Sequence, residues 1–171
     1  GGEAAPELVA ALDGVAQVFT ELGARVEEVV IPDFELFSAC GRVIMTAEGY
    51  AIHEQMLRER PSAFGRYTYQ RLVPGAGLTA ADLVQAHRLR LELARTLDGG
   101  VLARHHALLV AVGLSAAGRV ADFPRDWSPR MSMRTIPFTV TGHPAMAVAC
   151  GFTSQGLPLG FQIEGRALDE A

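Results

Sequence analysis

The sequence predicts an α/β protein, a layered α/β/α arrangement around a mixed sheet. Three observations carry that prediction. Apolar residues recur at helical spacing over residues 6 to 22 and again from Leu36 to Leu57. A third helix, residues 79 to 98, has capping signals at both ends. Three short apolar runs, "HALLVAV" and residues 145 to 150 and 159 to 163, have the length and composition of strands. With "ARVEEVVIP" as a further strand, the order is helix, strand, helix, helix, strand, strand, strand. Helices that alternate with strands in this way bury their apolar stripes against the faces of a sheet.

Each element has its own local reasons. Leu8, Leu12, Val15, Phe19 and Leu22 share one face of the first helix, Pro6 suits its first turn and Gly23 its end. Pro32 stops the strand "ARVEEVVIP". Asp33 is placed to cap the second helix, whose buried face reads Leu36, Cys40, Val43, Ala47, Tyr50 and Leu57. Gly41 and Gly49 lower its intrinsic helicity, and it ends before Pro61. "PSAFGRYTYQRLVPGAGL" reads as an irregular connection with one short helix. Thr79 and Asp82 form a capping-box pattern for the third long helix, and Gly99-Gly100 stops it. Residues 113 to 135 read mostly as loop. In the strand at 145 to 150, Ala145, Ala147 and Ala149 alternate with Met146, Val148 and Cys150. Both faces are therefore apolar, the pattern of an interior strand covered on both sides. "SQGLP" supplies a turn, and Gly160 leaves room on one face of the last strand while Leu159, Phe161 and Ile163 fill the other.

The 171 residues read as a single domain, or a fragment of one, with no internal linker or repeat. A formal charge of −4 argues against nucleic acid or an anionic membrane as partner, and no apolar run reaches a membrane span. The opening "GGEAAPELVAALDG" lacks the basic and apolar regions of a signal peptide. Cys40 and Cys150 both lie in apolar segments, so buried thiols in a reducing, cytoplasmic compartment are expected. All 15 basic residues are arginine, and with abundant alanine they point to a GC-rich bacterial genome.

Candidate chemistry is sparse. "LLVAVGLSAAG" approaches the G-x-S-x-G nucleophile elbow at Ser115, with Asp122 or Asp126 and then His143 following. That elbow needs a helix after the serine, and Pro124 interrupts the segment that would form it. The competing reading is a strand leaving the sheet through a small-residue turn. His105 and His106 are adjacent on an extended segment and so point to opposite faces, which disfavours a shared metal ion. His53 and His87 lie on helices without a second ligand at metal spacing. Glu48 sits near an apolar helix face and reads either as a group-orienting carboxylate or as a solvated side chain. No cofactor and no metal is implied.

One stretch carries a specific likeness. "TIPFTVTGHPAMAVACGFTSQGLPLGFQIEGRALDEA" resembles the C-terminal motif of the amidase signature family, which reads T-x-P-F-N-x-T-G-x-P-A, then C-G-F, G-L-P-x-G-x-Q, G-R and D-E-A. Thr135, Pro137, Phe138, Thr141, Gly142, Pro144 and Ala145 match the first block, and Cys150, Gly151 and Phe152 the second. Gly156, Leu157, Pro158, Gly160 and Gln162 match the third, and Gly165, Arg166, Asp169, Glu170 and Ala171 the last. Thr139 stands where the family has Asn, and "HALLVAV" lacks the acid and prolines of the family's D-x-L-L-x-P-T segment. "LGARVEEVVIP" and the helix at 79 to 98 extend the likeness upstream.

The resemblance implies the C-terminal part of an enzyme that cleaves C–N amide bonds with a Ser–Ser–Lys triad. The triad's lysine and its serine- and glycine-rich loop belong to the family's N-terminal half, and this chain contains no lysine. The implied partners are that missing half, a small amide substrate and, as a further candidate, a second copy of the chain. The loop from Trp127 to Thr135 is the expected pocket wall, with Trp127, Met131, Arg134 and Thr135 as substrate contacts, a mix suited to binding an amide's acyl group. The same residues equally suit packing against the missing half. The alternatives are a non-catalytic α/β module that binds a partner or ligand, and a serine hydrolase using Ser115.

Overall fold

The computed structural model describes residues 4–123 and 134–169. Its helices are α1 (Pro6–Glu21), α2 (Phe34–Glu59), α3 (Arg66–Leu72), α4 (Ala80–Gly99) and α5 (Ile136–Thr141). Its strands are β1 (Ala107–Ala111), β2 (Ala145–Phe152) and β3 (Pro158–Gly165).

The helix boundaries follow the capping chemistry. Pro6 opens α1, and its end is a Schellman motif: Gly23, at φ 93°, donates its N–H to Thr20 O, and Ala24 donates to Phe19 O. Asp33 accepts from the Glu35 N–H at 3.0 Å and starts α2. At α4 the capping box is complete, with Thr79 N–H to Asp82 Oδ2 at 2.8 Å and Asp82 N–H to Thr79 Oγ1 at 3.2 Å. Thr79→Ala is expected to lower stability by about 1 kcal/mol, read as a shift in urea midpoint at unchanged m-value.

The sheet order is β1-β3-β2, and both pairings among the described residues are antiparallel. β2 and β3 form a hairpin closed by Thr153 N–H to Leu157 O at 2.8 Å, with Gly156 at φ 79° in the turn. A bulge between Ala149 and Gly151 leaves Cys150 outside the register. Register places Leu108, Val110, Gln162, Glu164, Ala145 and Ala147 on one face, and Phe161, Ile163, Met146 and Val148 on the other.

Helices lie against both faces. On the first, α2, α4 and α5 meet β1 through a cluster that includes Phe37, Cys40, Leu93, Leu97, Leu102, Leu108, Ile136 and Phe138. α1 lies against β2 and β3, and Leu8, Leu159 and Phe161 are buried outside that cluster. The glycines of α2 mark close approaches. A Cβ on Gly41 would sit 2.7 Å from Val140 Cγ2 of α5, and one on Gly49 would sit 2.6 Å from Leu72 Cδ2 of α3. Their poor helix propensity is offset by the backbone contact they allow.

Three elements differ from the sequence expectation. The predicted strand at 24 to 32 pairs with no strand among the described residues. Val29 and Ile31 still pack against the core while Val30 is exposed, so the apolar residues of this segment report burial without a ladder. β2, predicted as an interior strand, is the sheet's edge, and none of its residues is buried. Residues 136 to 141, for which the sequence predicts no helix, form α5. The β-branched Ile136, Thr139, Val140 and Thr141 argue locally against helix. Burial of Ile136, Phe138 and Val140 overrides that preference, and Thr139 and Thr141 return their hydroxyls to Thr135 O and Pro137 O at 3.1 and 2.9 Å.

Candidate functional site

Of the predicted substrate contacts, Trp127 and Met131 lie outside the described residues. Arg134 and Thr135 stand at the start of α5, with Thr135 exposed and Arg134 half-buried. Gln162, on the central strand, donates its amide to Arg134 O at 3.1 Å and ties this corner to the sheet. The Arg134 guanidinium lies 4.3 Å from the centre of the Phe34 ring at the start of α2. That stacking fixes its direction, while its Nε is buried without a hydrogen-bond partner among the described residues.

Ser115 does not form an elbow. It is exposed after β1, donates to Ala116 O at 3.1 Å, and leads into irregular chain and a short 3₁₀ turn at Val120–Asp122. It borders an open groove of about 200 Å³ with Glu7, Thr153, Gln155 and Leu159, and His143 is not among the lining residues. His143 is instead buried between two other groups: Nδ1 is 2.7 Å from Thr141 Oγ1 and Nε2 is 3.0 Å from Asp98 Oδ1. Hydroxyl, imidazole and carboxylate in a row resemble a triad. However, the Thr141 hydroxyl is also held within its own helix, 2.9 Å from Pro137 O, so its single proton is contested between that carbonyl and His143 Nδ1. The row instead joins the last turn of α4 to α5.

Two of the remaining histidines have structural partners. His105 bonds Val101 O at 2.8 Å and Glu27, pinning the extended segment to the α4–β1 junction, and Glu27 holds its pKa above the ordinary imidazole value. His53 stacks edge-on against Phe64. Glu48 is exposed. Cys40 is buried and Cys150 half-buried, both as free thiols that burial pushes to higher pKa. Among the described residues no cluster of three or more His, Cys, Asp and Glu is placed to hold a metal ion, and no helix is long and apolar enough to cross a membrane.

One group escapes the sequence reading. Glu164 on β3 is fully buried, and neither carboxyl oxygen has a hydrogen-bond partner among the described residues. Burial pushes its pKa up to about 7. The available signal is the alternation of Gln162 and Glu164 with Phe161 and Ile163 along the last strand.

Fold and site together define an α/β unit in which the Arg134–Thr135 corner is tied to the central strand of a three-stranded sheet. The chain belongs to the amidase family, whose profile matches residues 2–171. It is 27% identical over 198 residues to a glutamyl-tRNA(Gln) amidotransferase component of Bordetella avium (strain 197N), covering 99% of this chain and 38% of that one. It is 31% identical over 173 residues to an amidase of Pseudomonas putida, covering 96% of this chain and 37% of the relative. A crystal structure of an amidase superposes with a TM-score of 0.84 at 25% identity, over 96% of this chain and 39% of that one. The chain thus spans well under half the length of the relatives it matches.

Proposed function

We propose that this chain is the C-terminal scaffold and one pocket wall of an amide hydrolase, with the Ser–Ser–Lys machinery supplied by polypeptide outside these residues. The observation that carries this reading is β2. It bears the family's sequence blocks and is apolar on both faces, yet it forms an edge with Met146 58% and Phe152 72% exposed. A strand of that composition belongs in an interior, and an open apolar edge is a place for further strands and helices to dock. A free-standing binding module would cover it. Arg134 and Thr135, with Trp127 and Met131, contact the acyl side of a small amide, and Gln162 and the Phe34 ring set the direction of Arg134.

The test is an aryl-amide hydrolysis assay on the full-length product of the gene that encodes this chain. Arg134→Ala is expected to raise KM about tenfold, the equivalent of about 1.4 kcal/mol, with kcat little changed. Absence of amide hydrolysis by the unmodified product would overturn the reading. An Arg134→Ala enzyme with unaltered KM would remove Arg134 from the wall.

A further inference from the structure

Glu164 occupies the central strand, directly between Leu108 of β1 and Ala145 of β2, on the face covered by α2, α4 and α5. It is 0% exposed, and among the described residues neither carboxyl oxygen has a partner. Among the described residues, the charged and titratable groups of the surrounding elements are engaged elsewhere or face solvent: on α2 the Cys40 thiol donates to Ala86 O and Arg42 is exposed, and on α4 Arg90 and Arg95 are exposed. His143, before β2, is held by Thr141 and Asp98. Arg134 stacks on Phe34, and Arg166 binds Asp169 and Leu102 O. Arg104 and His106, before β1, are exposed. Two residues along the same face, Gln162 holds the Arg134 carbonyl.

A neutral carboxyl without a hydrogen bond is tolerable in such a place, whereas an unpaired carboxylate is far more costly. We propose that Glu164 is a proton-controlled latch: neutral, it lets the helical layer seat on β3, and ionised, it loosens that layer together with the Arg134 corner tied to the same strand. The reading of that corner as a pocket wall rests on the function proposed above; the latch itself does not.

The direction follows from proton linkage. Burial lifts the carboxyl from 4.5 to about 7. Between those values the folded chain holds a proton that the unfolded chain has released. The stability this proton confers is complete below about 4.5, falls as pH rises, and is gone above about 7. His105, raised by Glu27, also loses its contribution as pH rises, but only above its unfolded value of 6.5. Comparison with a Glu164 variant separates the two.

The experiment is thermal unfolding of the protein and of Glu164→Gln across that pH window, with infrared spectra of both. The unmodified midpoint is expected to fall by on the order of 10 °C from the acidic to the neutral end, and the variant to lose that slope. A protonated-carboxyl stretch is expected below neutral pH in the unmodified protein only. Amide exchange in α5, corrected for intrinsic rates, is expected to quicken above neutral pH in the unmodified protein and not in the variant. An unchanged pH slope in the variant, a missing protonated-carboxyl band, or pH-independent exchange in α5 would each overturn the latch. Should Glu164→Gln not fold, Glu164→Met takes its place, and the infrared and exchange results on the unmodified protein still decide. None of these readouts uses amide hydrolysis, so a protein that fails the assay above can still pass this one.

Discussion

Phe138→Ala is expected to cost about 3–5 kcal/mol, read as a large drop in denaturant midpoint. Phe138 is 1% exposed and sits in the cluster shared by α2, α4, α5 and β1. α5 spans only Ile136–Thr141, too short to be stable by propensity, so its place depends on what it buries. Truncating its one buried aromatic ring leaves a cavity that the neighbouring Ile136 and Val140, already seated against Gly41, are poorly placed to fill. Against a typical total of 5–15 kcal/mol, such a loss puts the fold near its limit. Thr139→Ala, one position along on the exposed side, is the control and is expected to change stability by less than about 0.5 kcal/mol. A cost for Phe138→Ala below about 1 kcal/mol would show that α5 is not seated in the core as described.

The contrast between α4 and α5 shows what is legible in the sequence. α4 announces itself through Thr79, Asp82 and Gly99, because caps are local chemistry written in adjacent residues. α5 has no capping side chain and four β-branched residues, and it is helical because of what Ile136, Phe138 and Val140 bury far away in sequence. The segment at 24 to 32 errs the other way. Val29 and Ile31 do pack on the core, but an apolar run reports burial, not whether a neighbouring strand is there to bond. The apolar composition of β2 on both faces is plain in its residues, and only the sheet order shows that its outer edge is open.

The site divides in the same way. Of the proposed wall, Thr135 lies in the motif and Arg134 in the loop before it, and the structure adds what the sequence could not supply: the Gln162 amide on the Arg134 carbonyl and the Phe34 ring against its guanidinium. Glu164 is hidden in the sequence because a glutamate just before Gly165-Arg166 reads as a solvated charge. Its burial arises from three strands and a helical layer closing together, which no window of sequence contains. The Thr141–His143–Asp98 row is hidden for the same reason, since Asp98 belongs to the previous helix.

Gly75→Ala is expected to be the most damaging glycine substitution in the chain, at about 3 kcal/mol, the upper end of what overpacking usually costs. A Cβ there would fall on Tyr50 Cβ and 2.5 Å from Thr46 O. Both obstacles belong to the α2 backbone or its first side-chain atom, so no rotamer change relieves them; the turn at Val73–Gly77 would have to lift away from the helix. At Gly41 the obstacles are Val140 Cγ2 and Ile136 Cδ1, terminal methyls at 2.7 and 3.3 Å that can yield by small adjustments of α5. Gly41→Ala is therefore expected to cost less, about 1 kcal/mol. Gly14 lies inside α1 with nothing within 4 Å of its would-be Cβ, so Gly14→Ala is expected to stabilise by about 0.5–1 kcal/mol through backbone entropy alone. The order Gly75, Gly41, Gly14 in urea midpoints checks all three together. If Gly75→Ala proved as mild as Gly41→Ala, the turn would not be clamped against α2, because only contact with immovable backbone separates the two sites.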